Sequence, residues 1–142
     1  MKKILVLNGP NMNMLGIREP EIYGTATYAD LCKMISDHAE KIGVTVEFLQ
    51  SNHEGVLVDK IQEAYGKFDG IVFNPAAYTH TSIAIADAIK TVSIPTVEVH
   101  ISDINAREAF RKINYISPVC AKTVMGHGFA GYCEALDYLA AL

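Results

Sequence analysis

The amino-acid sequence predicts an α/β fold, on three observations. Short stretches rich in β-branched residues alternate with stretches of helical period, there are five of the former, and the 142 residues suit one compact domain. The strand-like stretches are residues 4–7, 44–49, 70–73, 96–99 and 119–125. Between them Leu31, Ile35, Ala39 and Ile42 fall at helical spacing, and Gly43 suits the position just past a helix end. Leu57, Ile61 and Ala64 repeat the pattern, as do Tyr132, Leu136 and Leu139. Asn105 with Glu108 three residues later resembles a capping box and predicts a short helix over 105–112. Strands alternating with helices imply a parallel sheet covered on both faces. At this length the expected form is a flavodoxin-like doubly wound five-stranded sheet, a single domain over residues 1–142. No repeat, linker or low-complexity segment divides the chain.

Composition narrows the class of partner. Half the residues are hydrophobic, enough for a core without disulfides or a structural metal. The net charge of −4 is spread along the chain with no run of Lys or Arg, which argues against nucleic acid and anionic membrane. Cys32, Cys120 and Cys133 are odd in number, lack CxxC spacing and read as buried thiols in a reducing compartment. The apolar run after Met1-Lys2-Lys3 stops at Leu7, too short for a signal peptide or a membrane span. A soluble, cytoplasmic protein is expected.

In open parallel sheets ligands bind beyond the carboxyl ends of the strands. Here those ends hold Asn8-Gly9-Pro10-Asn11-Met12-Asn13, residues 51–55, residues 74–80, residues 100–103 and residues 126–128. The first of these offers amide donors and closely approachable backbone, although the same residues also make ordinary turns. Arg18 and Tyr23 sit in a Pro- and Gly-bounded stretch, residues 17–24, that reads either as a lid or as surface loop. Bringing a phenol from about pKa 10 to near 7 takes roughly 4 kcal/mol. One guanidinium about 4 Å away, at an effective dielectric near 20, supplies about that much.

Glu98 and His100 lie two apart and share a face of the fourth strand. A carboxylate inside a covered sheet is costly unless paired, and a carboxylate that orients an imidazole is a common acid–base arrangement. A structural pair tying strand to helix is the alternative. Asn74 leaves the third strand at the mouth of the expected crevice, and the following segment reads as a helix carrying His80 and Asp87 on one face. For Asp87 alone, and for Arg107 and Arg111, a solvated face is the default. Gly126-His127-Gly128-Phe129-Ala130-Gly131 matches GxGxxG, but the eleven residues after it (132–142) leave no room for the strand and acid of a dinucleotide site. No phosphate-binding loop, zinc-ligand spacing or nucleophile elbow is present.

Taken in order, Leu7-Asn8-Gly9-Pro10-Asn11-Met12-Asn13 through Arg18-Glu19-Pro20 and Tyr23-Gly24, then Gln50-Ser51-Asn52-His53-Glu54-Gly55, resemble the type II 3-dehydroquinate dehydratases. Asn74-Pro75 with Thr79-His80-Thr81-Ser82, Glu98-Val99-His100-Ile101-Ser102, Ala106-Arg107-Glu108 with Phe110-Arg111, and Tyr115-Ile116-Ser117-Pro118 extend the resemblance over essentially the whole chain. The resemblance implies a flavodoxin-like fold and dehydration of 3-dehydroquinate to 3-dehydroshikimate through an enolate, a shikimate-pathway step, with no cofactor and no metal. It further implies Tyr23 as the base at C2 and Arg18 as the cation that keeps it ionised. Asn11 would hold a water on the enolate oxygen, and His100 would protonate the C1 hydroxyl with Glu98 behind it. Asn74 and the backbone of Ile101 and Ser102 match the carboxylate site. His80, Arg111 and Asp87 match residues near the ring hydroxyls, with Asp87 coming from a neighbouring subunit in trimers assembled into a dodecamer. Met12, Met14, Asp103, Asn105 and His127 depart from the family's usual residues, none at an assigned catalytic position. The competing expectation is a flavodoxin-like module that binds FMN or phosphate without dehydratase activity. Against it, the loop after the first strand lacks the Ser/Thr of a flavin phosphate loop and the acids of a phosphoryl receiver.

Overall fold

The structure, a computed structural model, describes residues 1–17 and 19–142, and for Ile22 and Tyr23 the backbone alone. Its five strands are β1 (Lys3–Asn8), β2 (Thr45–Gln50), β3 (Gly70–Asn74), β4 (Thr96–His100) and β5 (Lys122–Met125). All pair in parallel, in the order β2-β1-β3-β4-β5. The helices are α1 (Pro20–Tyr23), α2 (Tyr28–Ile42), α3 (Glu54–Glu63), α4 (Ile83–Val92) and α5 (Ala130–Ala140). This is the doubly wound arrangement that the alternating pattern predicts.

The alternation along β1 divides the core in two. Ile4 and Val6 pack with Leu31 and Ile35 of α2 and with Leu136 and Leu139 of α5. Leu5 and Leu7 point the other way, into Leu57 and Ile61 of α3 and Ile85 and Ile89 of α4. Each such side chain contributes about 1.5–3 kcal/mol by leaving water. Because both faces of β1 are apolar, that burial alone does not choose the register. Polar groups at the strand ends do. Asn8 lies opposite Gln50 and Asn74, and Gly9 N–H donates to the Asn74 carbonyl at 2.8 Å. At the other end the Lys3 amide donates to Asp69 Oδ2 at 2.8 Å.

Helix ends follow local chemistry. Thr27 and Asp30 form a reciprocal capping box at the start of α2, and Gly43 closes it at φ 80°. Ser82 caps α4 by accepting from the Ile85 amide at 3.0 Å.

Four expectations need correction. His80 is not on the helix that carries Asp87: it ends a 3₁₀ segment, Ala76–His80, and α4 begins only after the Ser82 cap. The helix expected over 105–112 is two separate 3₁₀ turns, Ile104–Ala106 and Ala109–Lys112. Asp103, rather than Asn105, caps the first by accepting from the Asn105 amide, and Arg107 then runs extended at φ −102°, ψ −157°, which breaks the run. The last strand starts at Lys122, not 119, because Ser117–Val119 with Pro118 turns instead of pairing. The three thiols are only half-buried.

The chain reverses its winding between β1 and β3, so the loops after these strands diverge and leave a crevice. Gly9 sits at that point. A Cβ there would lie 2.5 Å from the Pro75 carbonyl oxygen, and backbone has little freedom to yield. Gly9→Ala is therefore expected to push the two loops apart at a cost of about 1–3 kcal/mol. A urea midpoint within error of the wild type, at unchanged m, would count against this account.

Candidate active site

Beyond β1, β3 and β4 lies a narrow crevice open to solvent, about 420 Å³ with its mouth included. Its floor and walls bring together Asn11, Asn74, His80, His100, Ile101, Ser102 and Arg111. Asn11 tops β1 in the left-handed region at φ 71°, which asparagine tolerates better than most residues. Its amide donates to Asn52 Oδ1 at 3.0 Å. Asn74 ends β3 and is 4 % exposed. Its Oδ1 accepts from the Ala76 amide at 3.0 Å, which turns Nδ2 toward the Tyr132 hydroxyl, also at 3.0 Å. Tyr132 in turn donates to Asn8 Oδ1 at 2.5 Å, so a buried relay holds Asn74 from behind.

His100 ends β4 at 4 % exposure, and Glu98 behind it is at 0 %. Nε2 of His100 meets Glu98 Oε2 at 2.5 Å. The same-face spacing of the two residues therefore produces the pair it suggested. Burial pushes the Glu98 carboxyl upward, but hydrogen bonds and charge from His100, with further bonds from Asn114 and Thr123, bring it net below the usual carboxylate range. Bonds to the ionised form outweigh desolvation here.

His80 lies across the crevice, with Nδ1 2.7 Å from the Ile113 carbonyl. A carbonyl only accepts, so Nδ1 carries the proton and Nε2 is left as the acceptor of the neutral ring. Desolvation lowers its pKa below the ordinary histidine value, helped by the nearby charges of Arg111 and His100.

Arg107 is the residue that the sequence reading passed over. By default the cations at 107 and 111 form a solvated face, and the resemblance draws only Arg111 toward the substrate, yet their side chains are only 12 % and 18 % exposed and both line the crevice. Arg107 reaches Glu19 at 3.6 Å, and Arg111 Nε donates to Glu108 Oε2 at 2.6 Å. Asp87 is exposed on α4 and does not line the crevice of its own chain. Arg18 and the Tyr23 side chain lie outside the described residues. Among the described residues no group of His, Cys, Asp and Glu is placed to hold a metal ion, and no helix is long and apolar enough to cross a membrane.

A buried carboxylate–imidazole pair opening on an asparagine- and arginine-lined crevice, at the switch point of a flavodoxin-like sheet, defines the class: an enzyme that moves protons on a polar, anionic substrate. Within that class the chain belongs to the class II dehydroquinase family, whose pattern it matches over residues 2–140. It is 60 % identical over 137 residues to a 3-dehydroquinate dehydratase of Clostridium acetobutylicum, covering 96 % of this chain and 95 % of the relative. It is 51 % identical to a catabolic 3-dehydroquinase of Aspergillus clavatus, covering 98 % and 93 %. The crystal structure of a type II dehydroquinase from Butyrivibrio crossotus superposes with a TM-score of 0.96 at 54 % identity, covering 97 % of each chain. The flavin- or phosphate-binding alternative is thereby set aside.

The environment of His80 has a measurable consequence. Its folded pKa is lowered, so between that value and the unfolded value of about 6.5 the unfolded chain binds the extra proton. His80 therefore costs stability as the pH falls below about 6.5, fully so below the folded pKa. His80→Asn, which retains a donor toward Ile113, should lose less stability than the wild type between pH 7 and 5. Parallel urea midpoints for the two proteins across that range would refute the assignment.

Proposed function

We propose that this chain eliminates water from 3-dehydroquinate to give 3-dehydroshikimate by a stepwise anti route, with Tyr23 as the base and His100 as the acid. The observation that carries the reading is the buried Glu98–His100 pair facing the crevice within a chain whose whole length matches the family. The C2 proton lies α to the C3 ketone and is acidic enough for removal once the enolate is stabilised. The Tyr23 phenolate, kept ionised by Arg18, takes that proton and becomes phenol. A water held by Asn11 donates a hydrogen bond to the enolate oxygen and so stabilises its charge.

The enolate then collapses, the C1–O bond breaks, and His100 gives its proton to the departing hydroxyl, which leaves as water. With Nε2 bound to Glu98, Nδ1 is the ring nitrogen that delivers the proton. The products are dehydroshikimate and water. Return of the proton from Tyr23 to solvent and from solvent to His100 resets the site. Asn74 with the backbone amides of Ile101 and Ser102 takes the substrate carboxylate, and His80 and Arg111 take ring hydroxyls.

The exposed position of Asp87 supports a site shared between subunits, in trimers assembled into a dodecamer, with Asp87 completing its neighbour's crevice. The reaction serves aromatic biosynthesis or quinate breakdown, and we place it in the cytoplasm.

Ultraviolet absorbance of the conjugated enone follows the reaction directly. Tyr23→Phe keeps the ring and should lower kcat by at least about 10²-fold with little change in folding. Normal turnover by the folded variant would remove Tyr23 as the base. A second measurement addresses assembly. Asp87→Ala and Tyr23→Phe proteins, dissociated, mixed and reassembled, should recover activity at sites that combine an intact Tyr23 with a neighbour's intact Asp87. No recovery in proven hybrids rules the shared site out.

A further inference from the structure

We propose that Asn114 and Thr123 are positioning residues for the acid step: together they hold Glu98 in the orientation that aims its Oε2 at His100. The inference rests on His100 acting as the acid, as argued above. Glu98 occupies the middle of β4 at zero exposure, where an incompletely bonded carboxylate is costly. His100 satisfies only one of its lone-pair positions. The remaining donors come from two other elements. Thr123, directly opposite Glu98 in the β4–β5 register, lies with Oγ1 2.9 Å from Oε1. Asn114, in the segment that leads from the second 3₁₀ turn toward β5, lies with Nδ2 2.8 Å from Oε2.

Both directions of donation are determined by their surroundings. Asn114 Oδ1 accepts from the amides of Ile116 and Ser117, at 2.8 and 2.9 Å, so only its NH₂ can face Glu98. An ionised carboxylate only accepts, so the Thr123 hydroxyl donates. Three donors therefore converge on one carboxylate from three directions. Protonating Glu98 would turn at least one of them away, and rotating it would break all three.

The residue types carry the argument further. Aspartate would accept the Ile116 and Ser117 amides as well as asparagine does, so the turn alone does not call for an amide. Only the bond to Glu98 does. Likewise valine suits a β5 position at least as well as threonine, and the hydroxyl has its use toward Glu98. The net downward direction of the Glu98 pKa agrees, with burial opposing it and the donors prevailing. Among the described residues, Cys120 and His80 also sense Glu98 electrostatically. Cys120 is pushed up to about 12, chiefly by burial and then by Glu98, and so brings no charge of its own near neutrality. Beyond His80, Arg111 supplies the nearby permanent positive charge.

The test uses the purified enzyme with dehydroquinate. Asn114→Asp keeps the turn and replaces the donor by a second carboxyl oxygen. Thr123→Val keeps the β-branched shape and removes the hydroxyl. Each is expected to lower kcat about tenfold or more, the scale of one hydrogen bond to a buried charge, with KM changed by less than about twofold. In each the acidic limb of the kcat–pH profile should move to higher pH, because Glu98 takes up a proton more readily, in Asn114→Asp by sharing it with the new carboxyl. Thr123→Ser should restore both rate and profile. Wild-type kcat and profile in both variants overturn the proposal, and so does a fall in kcat with an unmoved profile, which marks a merely structural role. If Asn114→Asp fails to fold, the Val and Ser variants at 123 decide alone. His100→Gln separates the two levels. Its retaining full turnover removes the acid itself, whereas its inactivity beside normal 114 and 123 variants removes only the positioning role.

Discussion

A carboxylate withdrawn entirely from water in the middle of a covered sheet is the constraint around which one end of this molecule is organised. Glu98 has no exposed surface, and the strand that carries it is buried along its whole length. Desolvation of a lone carboxylate costs several kcal/mol, on the order of the net stability of a small domain. The chain meets that cost with an imidazole from the same strand, a hydroxyl from the next and an amide from the connection between them. One consequence is that β5 and the 114–117 turn are tied to β4 by polar bonds as well as by packing. Another is that the imidazole ring has one edge bonded and the other facing the crevice.

The winding of the sheet supplies the second half of the arrangement. Reversal between β1 and β3 opens a cleft, and the close passage of Gly9 over Pro75 keeps it narrow at the base. Strain gathers there. Asn11 and Ala76 both hold left-handed backbone at the lip of the crevice, at φ 71° and 53°, conformations that cost of order 1–3 kcal/mol for residues other than glycine. Local bonds hold them: Asn11 N–H donates to Asn52, beside the crevice, and Ala76 N–H donates to Asn74, within it. Folding and the shape of the site thus share contacts at this end.

The charge pattern of the crevice fits the chemistry of an anionic, polyhydroxylated ketone. Arg107 and Arg111 are held largely out of solvent and partly neutralised by Glu19 and Glu108, so they offer directed donors more than diffuse charge. His80 is held neutral with its acceptor nitrogen available, which suits a hydroxyl partner better than a carboxylate. Two histidines in one crevice are therefore differentiated by what lies behind them: a carboxylate behind His100, a backbone carbonyl behind His80.

Much of this was legible in the residues as written, and the boundary is physical. Periodicity is local, so the β-branched runs, the 3.6-residue spacing of Leu31, Ile35 and Ala39, and the stop at Gly43 read directly as strand, helix and cap. Strand pleat is local too, so Glu98 and His100 two residues apart identified a pair on one face. What escaped were features decided by distant partners. Nothing near 107 announces that its guanidinium turns inward, because the wall it joins is built by β1, β3 and β4. His80 and Asp87 share a helical spacing but not a helix, since the Tyr78–Ser82 turn and the Ser82 cap intervene. Asn114 reads as a loop residue until β5 brings Thr123 to the other side of Glu98. By itself the sequence determined the elements, their order and the chemistry available at the strand ends. Only tertiary structure decided which of those groups meet, because a hydrogen bond of 2.8 Å between residues 16 positions apart depends on where the whole sheet places its edges.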